Sequence, residues 1–198
     1  MKPDSKKTDF SVASAHEIVG TVARVDKEVK GFKIGDRVGV GAQSDSCKKC
    51  EPCKAGKEPR CDNGIVGTYN GDYSKTDGSG FSMGGYAKYS RAPAHFAVHI
   101  PESLPSAVAA PLMCGGITVY NPPKFNGCGT EGFKRVGVVG IGGLGHFAFI
   151  FAKALGAQKI TAISHTHSKE ELTRKLCATD FIASGDKDPY APHRPQKH

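Results

Sequence analysis

Apolar positions along the chain follow two different patterns. Up to Pro123, short runs of β-branched and other apolar residues alternate with glycine turns, which is typical of β-rich structure. The polar, glycine-rich stretch 70–84 shows no periodicity and is predicted to be a loop. The predicted strands cover residues 18–25, 37–40, 85–90 and 95–100.

A helical pattern begins at Ser106, which we predict to be an N-cap. The apolar run that follows reaches Tyr120, and the sequence Asn121-Pro122-Pro123 is expected to end the helix because proline lacks an N–H donor. A domain boundary is expected at the same place. The predicted domains are residues 1–123 and 124–185.

Strand and helix patterns alternate beyond this boundary, which predicts a βαβ unit with parallel strands. The last segment, 186–198, is rich in proline and scattered charge and is expected to be a disordered tail. The expected elements are a strand at 135–140, a helix at 144–155 closed by Gly156, a strand at 159–164, a helix at 168–177 and a strand at 181–183.

The bulk composition argues against several classes of protein. No run approaches the roughly 20 apolar residues that a membrane helix needs, and residues 1–12 lack the apolar core of a secretory signal. The formal charge is +8, but 27 Lys and Arg residues are interspersed with 19 Asp and Glu residues rather than gathered in a block. We therefore expect a cytoplasmic protein with no membrane or nucleic-acid partner, whose surface attracts an anionic small molecule such as a phosphorylated cofactor.

Four cysteines form a compact run, with two residues between each of the first three and seven before the last. Thiolates two residues apart can bind one metal, because a tight turn brings both sulfurs to about 2.3 Å from zinc. The alternatives are free or disulfide-bonded thiols and an iron–sulfur cluster, but the nearby fourth cysteine favours zinc. A closed all-sulfur shell leaves no open position, so we predict a structural zinc in the lobe 47–61. Its ligands would be Cys47, Cys50, Cys53 and Cys61.

A glycine-rich turn lies between the first strand and the first helix of the predicted βαβ unit. It satisfies the pattern G-x-G-x-x-G, in which glycines permit a tight turn and a close approach of the backbone to a pyrophosphate, while helix N-terminal amides face the anion. A dinucleotide site is therefore favoured over an ordinary glycine-rich turn. Its residues are Gly140, Ile141, Gly142, Gly143, Leu144 and Gly145.

The end of the next strand indicates which dinucleotide is preferred. An NAD site usually places an acidic residue there to bind the ribose 2′-hydroxyl, whereas this chain has Ser164. His165, His167 and Lys169 follow, so a 2′-phosphate would meet hydroxyl and cationic groups. This favours NADP over NAD.

Two further motifs complete the set: His16-Glu17 before the first strand, and Cys114 before a glycine pair and Thr118. Alone, His16 would be an ordinary polar residue and Cys114 a buried helix thiol. In this order, His-Glu, four-cysteine lobe, cysteine before a glycine pair and G-x-G-G-x-G, the chain resembles zinc-dependent medium-chain alcohol dehydrogenases. It is most similar to their NADP-dependent cinnamyl alcohol dehydrogenase branch, over about residues 16–184.

The resemblance implies a β-rich GroES-like domain followed by the first βαβ half of an α/β Rossmann domain. It also implies that His16 and Cys114 are ligands of a catalytic zinc, with Glu17 as an acidic neighbour that can join them, and that Thr118 lies near the nicotinamide. The implied reaction is hydride transfer between NADP(H) and a small alcohol or aldehyde, with zinc as the Lewis acid. A homodimer is compatible with this.

The chain departs from the family in three places. The family takes a further catalytic cysteine and a proton-relay hydroxyl from farther upstream, yet no cysteine precedes Cys47. Ala15 stands where the family usually has glycine, and the chain ends soon after the third strand of the βαβ region. We therefore expect a chain truncated at both ends, with little or no activity. The competing hypothesis is a non-catalytic, zinc-stabilised fragment, and a nucleic-acid-binding zinc protein is a third that rests on net charge alone.

Overall fold

The computed structural model describes residues 14–76 and 78–189. Contacts within the chain divide it into two compact units, residues 1–114 and 115–198. The boundary predicted at residue 123 falls inside the first helix of the second unit.

Short strands joined by turns make up the first unit. Its elements are β1 (Ile18–Thr21), β2 (Arg37–Val40), β3 (Gln43–Asp45), α1 (Glu51–Lys54), β4 (Val66–Gly67), β5 (Tyr69–Asp72), β6 (Phe81–Met83), β7 (Ala97–His99) and α2 (Ser106–Ala109). β1, β2 and β7 form an antiparallel sheet in that order, while β3 pairs with β4 and β5 pairs with β6. β2 coincides with its predicted range, whereas β1 ends four residues earlier than the predicted 18–25.

Two glycines allow the end of this unit to pack closely on β2. A Cβ on Gly39 would lie 2.3 Å from Met113 Sδ, and a Cβ on Gly41 would lie 2.6 Å from the Met113 carbonyl oxygen. A Cβ at Gly41 would clash with backbone, whereas a Cβ at Gly39 would require the Met113 side chain to move. The close packing fixes Met113, and with it the neighbouring Cys114, next to the strand.

The prediction of a loop at 70–84 is wrong, because β5 and β6 pair as an antiparallel hairpin within it. Ser82 Oγ accepts a hydrogen bond from the Gly71 N–H at 2.8 Å and donates to the Gly67 carbonyl at 2.6 Å. A hydroxyl group therefore joins strands that carry no alternating apolar pattern.

The strand predicted at 85–90 is also wrong, since that segment is irregular. The N–H groups of Gly85 and Tyr86 both donate to the Ser14 carbonyl at 3.1 Å. They therefore do not form the regular hydrogen bonds of a paired strand. A 3-10 turn at Ala94–Phe96 then precedes β7.

Ser106 is the first residue of α2 and not its N-cap, which is Pro105. The Ser106 hydroxyl accepts a hydrogen bond from Arg37 Nη1 at 3.5 Å. The N–H groups of Val108 and Ala109 bind the Pro105 carbonyl. The serine side chain therefore bonds to a residue of β2 and does not cap the helix.

A three-stranded parallel sheet with helices forms the second unit. Its elements are α3 (Gly115–Phe125), β8 (Arg135–Val139), α4 (Gly143–Ala154), β9 (Lys159–Ser164), α5 (Glu170–Lys175) and β10 (Asp180–Ala183). The strand order is β10-β9-β8, and both pairs are parallel, so the predicted βαβ unit is confirmed. Phe149 and Ile160 are completely buried in its core.

The first helix of this unit does not end at residues 121–123 as predicted, because α3 includes Pro122 and Pro123. Proline removes an N–H donor, but its carbonyl can still accept. The Asn126 N–H donates to the Pro122 carbonyl at 3.1 Å and the Cys128 N–H to the Pro123 carbonyl at 2.8 Å. The N–H groups of later residues therefore continue the helical hydrogen bonding past the two prolines.

The tail predicted at 186–198 lies mostly outside the described residues, of which 186–189 are irregular. No helix in the described part of the chain is long and apolar enough to cross a membrane.

Candidate functional site

Three short elements build the cysteine lobe. β3 leads into Cys47, Cys50 is the N-cap of α1, and Cys61 follows a 3-10 turn at Glu58–Arg60. Lys48 has a φ of 57°, in the left-handed region, which turns the chain sharply between the first two cysteines. The chain is thereby folded around a common centre.

The four sulfurs lie at the spacing that a tetrahedral zinc requires. All four Sγ atoms are within 4.8 Å of one another, and the pairs Cys47–Cys53 and Cys50–Cys61 are each 4.0 Å apart. Zinc–sulfur bonds of about 2.3 Å in a tetrahedron place the sulfurs about 3.8 Å apart. All four thiols are free, and the sulfurs are too far apart for a disulfide, which needs about 2.05 Å. The residues present therefore fit a zinc ion.

The thiols of the lobe differ in acidity. The backbone N–H groups of Lys49 and Cys50 lower the pKa of Cys47 to about 6. The Ser46 hydroxyl acts to lower the pKa of Cys53, but burial and the neighbouring thiols outweigh it and raise that pKa to about 11. One thiolate thus forms readily at neutral pH.

An ion pair and a hydrogen bond attach the lobe to the rest of the first unit. Lys48 Nζ lies 2.9 Å from Asp45 Oδ1, and the Asp45 side chain is 8% exposed. Glu58 Oε1 lies 2.6 Å from His95 Nε2. Backbone hydrogen bonding at Glu58 and the bond with His95 lower the pKa of this carboxyl, so it is ionised at neutral pH and holds the histidine. The lobe is therefore anchored both at its first cysteine and before its last.

His16 lies beside an open cavity of about 380 Å³ in the first unit. Its ring stacks on Tyr69, with 5.8 Å between ring centroids, and Ala42, Thr68 and Asn70 also line the cavity. Ala15 just before it has a φ of 88°, a backbone conformation that favours glycine. This backbone conformation explains why the resembled family usually has glycine at this position.

The other residues predicted for a catalytic zinc are distributed along the chain. Glu17 is exposed, Cys114 is half-buried after a 3-10 turn at Ala110–Met113, and Thr118 is exposed on α3. Within residues 14–76 and 78–189, the four-cysteine lobe is the one group of three or more His, Cys, Asp or Glu residues whose ligand atoms come within 4.8 Å of each other. A catalytic zinc at His16, Glu17 and Cys114 stays a prediction.

The glycine turn has the geometry of an anion site. Gly140 has a φ of 86°, and a Cβ on Gly145 would lie 2.3 Å from the Gly140 carbonyl oxygen, so both must be glycine for strand and helix to meet. No described atom lies within 4 Å of where a Cβ on Gly142 or Gly143 would be. No side-chain hydrogen bond of the described chain caps α4, so its first amides are available to an anion. The backbone therefore fits a nucleotide pyrophosphate.

Two of the four residues predicted to select NADP, Ser164 and Lys169, lie close to this turn, where the Gly140 N–H donates to the carbonyl of Ile163 at 3.0 Å. Ser164 is the last residue of β9 and is half-buried. Lys169 ends a 3-10 turn at His167–Lys169, and its Nζ donates to the Ile141 carbonyl at 2.8 Å. The lysine is thus joined to the glycine turn itself.

Two residues of the candidate sites were missed in the sequence. Tyr69 could not be recognised as the stacking partner of His16, because nothing local connects them. His146 follows the glycine motif directly, and its Nδ1 lies 2.6 Å from the Gly142 carbonyl oxygen, so its ring donates a hydrogen bond there. The spacing of four residues along a helix was a signal that could have identified this contact.

Comparisons with known proteins agree with the fold. Residues 3–102 match the family model of the alcohol dehydrogenase GroES-like domain. NADP-dependent alcohol dehydrogenase 6 of Saccharomyces cerevisiae is 48% identical over 170 residues, 85% of this chain and 45% of the relative.

Solved structures of alcohol dehydrogenases are also similar to this chain. A cinnamyl alcohol dehydrogenase from Sorghum bicolor superposes with a TM-score of 0.80 at 42% identity, covering 89% of this chain and 49% of the other. A cinnamyl alcohol dehydrogenase from Helicobacter pylori, solved with NADP(H), gives 0.78 at 36% identity, with 88% and 49% covered.

The chain spans about half the length of these relatives. The resemblance inferred from the order of motifs is confirmed, and so is the fold class of a GroES-like domain followed by part of a Rossmann domain. With half of its residues matched by the family model, the chain belongs to the alcohol dehydrogenase family with a GroES-like domain.

Proposed function

We propose that this chain carries the zinc-binding and NADP-binding parts of an enzyme that transfers hydride between NADP(H) and a small alcohol or aldehyde. The observation that carries the proposal is the glycine turn, whose open amide side and crowded Gly145–Gly140 contact suit a dinucleotide. The similarity to an NADP-dependent alcohol dehydrogenase supports the choice of cofactor.

The cysteine lobe has a structural role in this proposal. Its four sulfurs would complete the coordination of zinc and leave no position for a substrate, so the ion would stabilise the lobe without taking part in catalysis. The ion pair of Lys48 with Asp45 and the hydrogen bond of His95 with Glu58 would transmit that rigidity to the surrounding strands.

His16 and Cys114 are the proposed ligands of a second zinc, with Glu17 as the carboxylate that can join them. When bound there, zinc would act as a Lewis acid on the carbonyl oxygen, and the nicotinamide would supply the hydride. The stack on Tyr69 would orient the His16 ring toward the cavity that it lines. Thr118 is proposed to lie near the nicotinamide.

The second unit would bind the cofactor. The first amides of α4 would donate to the pyrophosphate, since no side chain of the described residues caps them and the space at Gly142 and Gly143 is open. The Ser164 hydroxyl, placed at the carboxyl end of β9, would donate a hydrogen bond to the ribose 2′-phosphate, where an acidic residue would repel it.

A second candidate function is a zinc-stabilised protein without dehydrogenase activity. In the described residues, the cysteine lobe brings together enough ligand side chains to hold a metal ion. No group of three or more such side chains forms around His16 in that part of the chain, which favours this second function.

Zinc content and nucleotide binding of the purified chain separate the two candidates. The dehydrogenase proposal expects two zinc ions per chain, saturable quenching or enhancement of NADPH fluorescence, and oxidation of NADPH by a cinnamaldehyde-like substrate. One zinc with NADPH binding but no turnover would select the second candidate. Failure to bind NADPH would exclude the proposed cofactor site.

A further inference from the structure

The first unit contains a second cavity, of about 190 Å³, lined mainly by residues of β6 and of the segment 89–92. Among the described residues, Thr68 is the one that lines both this cavity and the cavity beside His16, so the two are separate spaces. In another protein, an apolar cavity of about 150 Å³ holds one benzene ring. The second cavity therefore has room for a ligand with a single aromatic ring and a small substituent.

The buried end of this cavity carries hydroxyl groups that the protein itself already uses. Ser44 and Ser82 are buried, and both donate to the Gly67 carbonyl, at 3.0 and 2.6 Å. Ser82 Oγ also accepts from the Gly71 N–H, and Ser44 Oγ lies 3.4 Å from Tyr73 Oη. No buried side-chain N or O atom of the described residues lacks a hydrogen-bond partner. An apolar part of a ligand therefore fits this end better than a charged part does.

The exposed side of the cavity is largely apolar. Phe81, Met83 and Tyr89 line it, and each is more than half exposed. Aromatic faces and a methionine sulfur both make favourable contacts with an aromatic ring. A ring bound here would remove apolar surface of all three side chains from water, which favours binding.

Arg91 supplies the charge of the cavity. Of the described residues that line it, Arg91 alone carries a formal charge, and no carboxylate in the described part of the chain pairs with its guanidinium. Lys88 Nζ lies 5.9 Å from the centre of the Tyr89 ring and adds a second positive charge close to the cavity. A guanidinium binds a carboxylate through two parallel hydrogen bonds.

We propose that this cavity binds a small aromatic monocarboxylate, with its ring against Phe81, Met83 and Tyr89 and its carboxylate on Arg91. The single negative charge of such a ligand matches the single guanidinium. A phosphate dianion fits less well, because part of its charge would remain uncompensated against apolar walls. The site is separate from the proposed zinc and nucleotide sites and does not depend on them.

Titration of the unmodified chain with benzoate, followed by the NMR shifts of backbone amides, tests the proposal. We expect saturable shifts at residues 81–84 and 89–92 with a dissociation constant of about 1 mM, since so small a ligand has few contacts. Acetate has the charge without the ring, and benzyl alcohol the ring without the charge, so each should bind at least about tenfold more weakly. No saturable shift up to about 10 mM benzoate overturns the proposal, as does equal binding of acetate or inorganic phosphate.

The substitution Arg91→Met tests the contact with the carboxylate. It should weaken benzoate at least about tenfold and leave benzyl alcohol within about twofold, because only the charged ligand uses the guanidinium. Arg91→Lys should restore part of the benzoate affinity, since an ammonium keeps the charge without the paired hydrogen bonds. Unchanged benzoate affinity in Arg91→Met overturns the proposal.

Arg24→Met is the matched control, since Arg24 is an exposed arginine of the same unit that does not line the cavity. It should leave the benzoate affinity within about twofold, and an equal loss in both methionine variants would show a general charge effect and overturn the proposal. Arg91 is itself exposed, so amide shifts outside the cavity should be the same in Arg91→Met and the unmodified chain.

Benzoate could also bind a metal in the other cavity, and His16→Ala separates the two sites. Binding at the second cavity predicts a benzoate affinity within about twofold of the unmodified chain, with the same shifts at residues 89–92. Loss of benzoate binding in His16→Ala, with shifts in the unmodified chain centred on residues 67–70, overturns the proposal.

Discussion

The helix α4 meets the end of β8 where Gly145 packs directly against the carbonyl of Gly140. A Cβ on Gly145 would lie 2.3 Å from that oxygen and 3.9 Å from Val138 Cγ1. Because the obstacle is backbone, it cannot rotate away as a flexible side chain would. The third glycine of the motif is therefore required by packing, and the open sides of Gly142 and Gly143 are free for a ligand.

Replacing Gly145 with alanine should damage the proposed nucleotide site but not the cysteine lobe. The added methyl group must push α4 away from β8, which we expect to destabilise the second unit by about 1–3 kcal/mol. NADPH affinity should fall at least tenfold, as measured by fluorescence titration, with the zinc content unchanged. Gly132→Ala is the control, since no described atom lies within 4 Å of its Cβ position. Equal NADPH affinity in Gly145→Ala and the unmodified chain would contradict the packing explanation.

Ala15 is a site where a glycine should stabilise the protein. Its φ of 88° costs a residue with a Cβ about 1–2 kcal/mol, and the entropy lost by glycine offsets part of the gain. We expect Ala15→Gly to raise the free energy of unfolding by about 0.5–1 kcal/mol, measured by chemical denaturation. Ala23→Gly, at an exposed position whose φ is not positive, should give no gain. A decrease in Ala15→Gly would show that the strain is absent.

Features encoded by short-range spacing were predictable from the sequence. The cysteine spacing predicted a cluster whose sulfurs do lie within 4.8 Å of each other, and the glycine motif predicted the turn between β8 and α4. β9 has its predicted bounds of Lys159–Ser164, because its apolar run is continuous and is closed by polar residues.

Features that depend on contacts distant in sequence were not predictable. The β5–β6 hairpin is joined by the Ser82 hydroxyl, which no hydrophobic pattern reveals. α3 passes through Pro122 because downstream N–H groups bind the carbonyls that the helix still offers. The His16–Tyr69 stack and the Lys169–Ile141 bond join residues that only the folded chain brings together.

His167 should give the second unit a pH-dependent stability. Its ring nitrogens lie 2.9 Å from Glu170 and 3.0 Å from Asp186, and hydrogen bonds to these two carboxylates raise its pKa. Because the folded pKa exceeds the unfolded one, the stabilisation is complete below about pH 6.5 and is lost as the pH rises through the folded pKa.

The substitution His167→Gln isolates this contribution. The difference in free energy of unfolding between the unmodified chain and the variant should be larger at about pH 5.5 than at about pH 9. About 1 M salt should reduce it, since the His167 side chain is 60% exposed and Asp186 is 51% exposed. A difference that grows with pH would show that the imidazolium is not the stabilising form.

Zinc binding by the cysteine lobe should depend on each of its four thiols and on no other cysteine. Cys53→Ser should lower zinc affinity by more than about 100-fold, because even loss of a residue behind a ligand costs about 10–100-fold. Mass spectrometry under native conditions should show one zinc fewer per chain, and Cys47 should become reactive toward alkylating reagents. Cys177→Ser changes an exposed thiol outside the lobe and should leave zinc content unaltered. Full zinc retention in Cys53→Ser would mean that the sulfurs, although 4.0 Å apart in pairs, do not share a metal.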